Sequence, residues 1–115
     1  MRAGGPIERL TSADAATEAA LKTCSLACKG VVAYYLSDED AGQTEFGRSL
    51  LRAASAIDAA AALDDDPDKR RATFAIAAPI CHAAAARCRR AGLDAPLLKA
   101  AAACERAAAI CEECL

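Results

Sequence analysis

DAPLLKAAAACERAAAICEECL, residues 94–115, is the stretch that decides the fold. Leu97, Ala100, Cys104, Ala107, Cys111 and Cys114 recur in it at alternating steps of three and four, the spacing of a seam between packed helices rather than of a lone amphipathic surface. Asp94, Ala95 and Pro96 form its start, because a proline in the first turn gives up an N–H that has no helical partner. Working back along the chain, Asp64-Asp65-Asp66-Pro67 is a stronger start of the same kind, with Asp66 as N-cap. The helix it opens runs to Ala91 and stops at Gly92, and its seam falls on Phe74, Ala77, Cys81, Ala84, Cys88 and Ala91. Before it, Thr44 caps a second helix from Glu45 to Leu63, with Ser49, Ala53, Ala56 and Ala60 on the seam. The first helix runs from Ala13 to Leu36 behind a cap in Thr11-Ser12-Ala13-Asp14, and its seam is Thr17, Leu21, Cys24, Cys28, Val31 and Tyr35.

Composition agrees with four helices. Alanine, the best helix former, fills 33 of the 115 positions, beside two Phe, two Tyr and no Trp, so the aromatic and β-branched residues that build a sheet core are too few. The length fits one domain over residues 1–115, with 1–11 a flexible N-terminal segment. Connections as short as Gly92 to Asp94 force consecutive helices to run antiparallel, and the polar stretch from Ser37 to Thr44 is the longest of them. The expected fold is all-α: an antiparallel, up-down-up-down four-helix bundle.

A net charge of -2 and a pI near 5.4 leave no excess of positive charge to neutralise phosphates, so nucleic acid is not an expected partner. Residues 1–10 contain no apolar run of signal-peptide length, and no stretch reaches the ~18 apolar residues of a membrane span. The reading is a soluble cytoplasmic protein without a membrane partner. Structural disulfides are rare in that compartment, and seven cysteines cannot all pair with one another.

Those seven cysteines are the chemical bias of the chain. All of them fall on the seams, where random placement would put about two, because a seam takes two positions in seven. Sorted by height at about 1.5 Å per residue, Cys24, Cys28, Cys81 and Cys104 form a middle layer. Cys88 lies towards one end, and Cys111 with Cys114 towards the other. Cys24 and Cys28 are one helical turn apart on one face, close enough to share an ion; Cys111 and Cys114 repeat the arrangement at three residues. Cys81 and Cys88 are two turns apart and each needs a partner from another helix. Soft thiolates in a dry helical core suit Cu(I), which accepts two or three sulfurs. Zinc, which wants four ligands, could find them only in the middle layer and fits less well.

Cysteines on the inward seams of four helices, at steps of three and four and with a Cys-x-x-x-Cys pair, resemble the cysteine-rich four-helix-bundle copper storage proteins. The resemblance runs from about Leu21 to Leu115. Phe46 to Ala60 looks like the family's second helix with its cysteines replaced by Ser49, Ala53, Ala56 and Ala60 and its Asp kept at position 58. It implies a bundle that holds Cu(I) on core thiolates, here Cys24, Cys28, Cys81, Cys88, Cys104, Cys111 and Cys114, usually as an oligomer. Val31, Tyr35, Ala77, Ala84, Ala100 and Ala107 depart from the pattern, which implies a reduced copper capacity. A homo-oligomer is also expected on physical grounds, since helix faces this rich in alanine bury few large side chains and leave apolar surface to spare.

Blander readings stand beside these. Free cysteine behaves as a small buried hydrophobe, so the alternative is a metal-free structural or interaction bundle whose cysteines only pack. Cys88 by itself reads as core, and Cys111 with Cys114 reads equally well as a redox-active pair at a fraying end. His82 sits about 100 degrees off the seam and reads as a surface or helix-interface residue. Asp64, Asp65 and Asp66 are explained by capping and the helix dipole, and Lys69-Arg70-Arg71 with Arg87, Arg89 and Arg90 by solvated faces. Pro79 removes the N–H to the carbonyl of Ala75 and is expected to kink the third helix just before Cys81. No nucleophile–base pair, phosphate loop or iron–sulfur spacing is present, and no enzymatic activity is expected.

Overall fold

Helix-start chemistry accounts for most element boundaries. The computed structural model describes residues 12–35 and 44–114, which form α1 (Ser12–Tyr35), α2 (Glu45–Ala61), α3 (Pro67–Ala91) and α4 (Ala95–Glu113). Thr44 is extended, and its Oγ1 accepts from the Gly47 N–H at 2.9 Å. Asp66 accepts from the Asp68 N–H at 2.9 Å with Pro67 in the first turn, and Asp64 accepts from the Asp66 N–H at 2.8 Å. The acidic triplet is thus largely spent on the start of α3. Replacing Thr44 by alanine is expected to cost about 1 kcal/mol, the usual value of an N-cap, read as a lowered urea midpoint with unchanged slope.

Asp94 behaves differently. Its side chain makes no cap hydrogen bond; its carboxylate accepts from the Tyr35 hydroxyl at 3.3 Å instead. α2 ends two residues earlier than its sequence suggests, because Leu63 turns into the left-handed region at φ 51. Its N–H bonds the carbonyl of Ala60 at 3.1 Å, while its side chain packs on the core. The Arg70 guanidinium reaches back to the carbonyls of Leu63 and Asp64 and closes this turn. α3 runs unbroken through Pro79, which is exposed. The cap read at Thr11 to Asp14, the segment 1–11 and the loop from Ser37 to Gln43 lie outside the described residues and side chains.

α1 packs mainly on α2 and α4, and α3 on the same two, so α1 and α3 stand diagonally across a four-helix bundle. Cross-helix pairs give the directions. Arg89 meets Glu105 at 2.6 Å and His82 meets Glu112 at 3.0 Å, so stepping back along α3 is stepping forward along α4. Arg87 near the end of α3 meets Glu45 at the start of α2 at 3.2 Å, and Tyr35 at the end of α1 meets Asp94 before α4. The chain is all-α and antiparallel, up-down-up-down, as its pattern requires. Among the described residues no helix is long and apolar enough to cross a membrane.

The buried seams of α1, α3 and α4 are nearly those read from the sequence: Leu21, Cys24, Cys28 and Val31; Phe74, Ala77, Cys81, Ala84 and Cys88; Leu97, Ala100, Cys104, Ala107 and Cys111. The seam of α2 keeps Ala53 and Ala60 but moves by one residue at the other two places. Leu50, Ala53, Ile57 and Ala60 are buried, whereas Ser49 and Ala56 are only half-buried. Burying Leu50 and Ile57 is worth about 1.5–3 kcal/mol each, which decides the rotation of the helix against a register that would bury serine. Each stripe is also wider than two positions in seven. Ser25, Ala54, Ala78, Ala85, Ala101 and Ala108 lie beside the seam and are buried with it, as in a globular bundle rather than a two-stranded coil. At the ends Tyr35, Ala91 and Cys114 are exposed. Cys114 is the C-cap of α4, past the last buried turn, so six of the seven cysteines face the core and this one does not.

Candidate metal centre

The middle of the bundle is lined by side chains no larger than a thiol at several levels, and there α1 and α4 bring three sulfurs together. Cys24 and Cys28 project one turn apart from α1, and Cys104 enters between them from α4. The Cys104 Sγ lies 3.5 Å from the Sγ of Cys24 and 3.5 Å from that of Cys28. All three sulfurs lie within 4.8 Å of one another, and all three residues are 0 % exposed. Cys81, from α3 on the diagonal, touches the group through Cys24 but is not one of the mutually close set.

Protonation of the three thiols is coupled through these contacts. Cys28 is lowered, because its hydrogen-bonding interactions with Cys104 and then Cys24 favour the thiolate and outweigh its desolvation. Cys104 is raised by its hydrogen bonds to Cys24 and Cys28 and by burial. For Cys24 the Cys104 thiol pulls downward, but contacts with Cys28 and Cys81 and loss of water prevail, and the net direction is up. Proton loss is therefore a property of the group as a whole, and burial resists the loss of further protons unless a cation arrives to replace them.

The remaining cysteines sit apart from this cluster. Burial pushes Cys88 up to about 11, assisted by the negative charge of Cys28 and opposed by Arg89. Cys111 is likewise pushed up to about 11, by burial first and then by the charges of Cys114 and Glu112. Of the seven sequence-derived ligands, the structure therefore joins Cys24, Cys28 and Cys104. Cys81 is adjacent, and Cys88, Cys111 and Cys114 are not in the group. His82 is exposed and its Nε2 lies 3.0 Å from a Glu112 oxygen, bridging α3 to α4 at the surface.

Two features beside the sulfurs carry no sequence motif. Ser25, next to Cys24, is 2 % exposed, and its hydroxyl has no hydrogen-bond partner at bonding geometry. It lies near enough to Asp58 to be the main cause of that carboxyl's lowered pKa, ahead of the Lys29 ammonium. Lys29 follows Cys28 and is held 3.0 Å from Asp58 on α2. The cation nearest the cluster in sequence is thereby turned outward, and only the place of Asp58 in the second helix could have hinted at it. The cluster itself can hold a metal ion: the three sulfur donors converge within 4.8 Å of one another and are fully buried, and sulfur donors suit a soft ion. A tetrahedral zinc site would need a fourth donor equally close, which the present position of Cys81 does not provide. No family model, no curated protein and no solved structure matches this chain, so the centre is argued from its own geometry.

Proposed function

We propose that the protein binds Cu(I) through Cys24, Cys28 and Cys104, with Cys81 alongside, and buffers or stores it in the cytoplasm without catalysing a reaction. The convergence of three buried sulfurs from two helices carries this reading. Packing alone would be served as well by alanine, which fills the equivalent levels at Ala77, Ala84, Ala100 and Ala107. Thiolate softness favours Cu(I) among the common cellular ions, and a two- or three-coordinate ion needs no fourth ligand. The likeness to the copper storage bundles supports the same choice. The empty second helix limits capacity, with Cys88 and the Cys111/Cys114 end as secondary places for an ion.

An anaerobic titration of the reduced protein with Cu(I) against a chromogenic chelator tests the proposal. The expected result is withholding of at most about three or four ions per chain, since two sulfurs per ion is the lower limit of a soft site. Uptake no greater than that of an all-Cys→Ser variant would instead establish the metal-free reading, in which the cysteines only pack. Self-association belongs to the proposal too. Leu26, Tyr34, Ile76 and Leu93 are each more than half exposed, an uneconomical surface for a monomer. Light scattering under reducing conditions at micromolar concentration is expected to give a dimer or larger assembly, and a monomer mass near 11.8 kDa across a tenfold dilution would contradict it.

A further inference from the structure

We propose that Cys24, Cys28 and Cys104 also form a binding site for trivalent arsenic, taken up from arsenous acid and held as an uncharged pyramidal tris-thiolate. The proposal uses the thiol cluster of the copper reading but does not depend on copper. Its first support is the spacing of the sulfurs. With element–sulfur bonds of about 2.3 Å, a linear ion sets its sulfurs about 4.6 Å apart, a planar three-coordinate ion about 4.0 Å, and a pyramid with angles near ~100° about 3.5 Å. Two of the three sulfur pairs stand at 3.5 Å, and the third lies within 4.8 Å. For the two pairs that span α1 and α4, the spacing of the pyramid is already present.

Charge is the second support. Cu(I) on two thiolates leaves one negative charge in the core, and on three it leaves two. Burying an uncompensated charge is costly. The neighbouring cations do not turn inward to meet it: Lys29 is held by Asp58 and Arg89 by Glu105. Arsenic(III) with three thiolates has no net charge. The reaction balances without a redox partner: As(OH)3 and three thiols give As(SR)3 and three waters. Three As–O and three S–H bonds break, three As–S bonds form, each proton leaves on a hydroxide, and arsenic stays trivalent. Arsenous acid is neutral at neutral pH, so its approach through an apolar wall carries no charge penalty. A groove of about 470 Å³ between α1 and α4, lined by Thr23, Ala27, Gly30, Val31 and Pro96 among others, runs along the outside of the same helix pair.

Titration of the reduced protein with arsenite, read by native mass spectrometry and by arsenic–sulfur absorption in the ultraviolet, tests the assignment. One arsenic per chain with the loss of three protons is expected. Cys104→Ala and Cys28→Ala should each weaken binding at least about a hundredfold, the usual gain from an added intramolecular contact, while Cys88→Ala and Cys114→Ala leave it within a few-fold. X-ray absorption at the arsenic edge of the unmodified protein gives a readout that no folding defect can confuse, and three sulfurs with no oxygen is the expected shell. Two sulfurs and one oxygen, or equal binding by the Cys104→Ala variant, would mean that the three cysteines do not hold the arsenic together and would overturn the proposal. Uptake of Cu(I) without arsenite would overturn this inference alone, and uptake of arsenite without Cu(I) would overturn the copper reading alone.

Discussion

Cys104→Ala is expected to lower the affinity for Cu(I) by about a hundredfold or more, on the order of 3 kcal/mol, while Cys88→Ala and Cys114→Ala change it by less than about threefold. Cys104 stands 3.5 Å from each of the other two sulfurs, and is the one that ties α4 to the pair on α1. Without it an ion keeps at most the two donors of a single helical turn and loses the sulfur that encloses it. Alanine is the right replacement, because serine would bury a hydroxyl among apolar side chains and thiols and confuse a binding loss with a folding loss. The fold should survive, since alanine occupies the equivalent buried place three residues either side, at Ala101 and Ala107. Competition against a chelator of known affinity measures the effect. Unchanged affinity in Cys104→Ala, together with a loss in Cys111→Ala, would move the site to the end of the bundle.

The part of this centre that was legible in the sequence is its layer, and the part that was not is its membership. Cys24, Cys28, Cys81 and Cys104 come out at one height from helix starts and a constant rise alone, because rise per residue is nearly invariant. Which of four sulfurs at one height actually meet depends on how far each helix is rotated and how closely each pair approaches, to within an ångström. That is set by the volumes of every neighbour in the seam rather than by spacing. α1 and α4 are adjacent and bring their three sulfurs together, whereas α3 stands on the diagonal from α1, and Cys81, though level with the three, is not one of the mutually close set. Cys114 failed as a core residue for a related reason: a repeat of three and four continues on paper after the last buried turn has ended.

The fold was easier to read than the rotation of its second helix. Asp66 with Pro67, and Thr44, are local devices whose hydrogen bonds form within three residues, and both recur in the structure as caps. The α2 seam is a contest between two patterns that share Ala53 and Ala60 and differ by one residue at the other two places, Ser49 or Leu50 and Ala56 or Ile57. In so uniform a helix the bulky residues arbitrate, and Leu50 with Ile57, seven apart, outweigh the placement that keeps Ser49 inside. A pattern counted by position treats these residues alike, whereas a pattern weighed by buried area does not.

Phe74→Ala is expected to destabilise the protein by about 3–5 kcal/mol, the range for removing a buried aromatic ring. Phe74 is 1 % exposed and the largest fully buried side chain among the described residues; besides it only Leu21, Leu50, Ile57 and Val31 are fully buried and larger than cysteine. Half of the other buried hydrophobic residues are alanines with no rotamer to adjust, so the space it vacates is poorly refilled by neighbours swinging in, and the cost should sit high in the range. A domain of this size has about 5–15 kcal/mol in total, and a chain whose core is mainly methyl groups belongs towards the lower end. The variant therefore loses a third or more of its stability, a fall in melting temperature on the order of 20 °C, followed by circular dichroism. Phe74 lies two turns before Cys81 on α3, outside the sulfur group, so below the new melting point the variant should still withhold Cu(I) in the same ratio. The unaltered protein, stripped of metal by a chelator, should keep its helical signal nearly unchanged, because packing rather than an ion holds the bundle together. A loss under about 1 kcal/mol in Phe74→Ala, or a collapse to coil on chelation, would mean that the alanine core does not carry the fold and that the metal does.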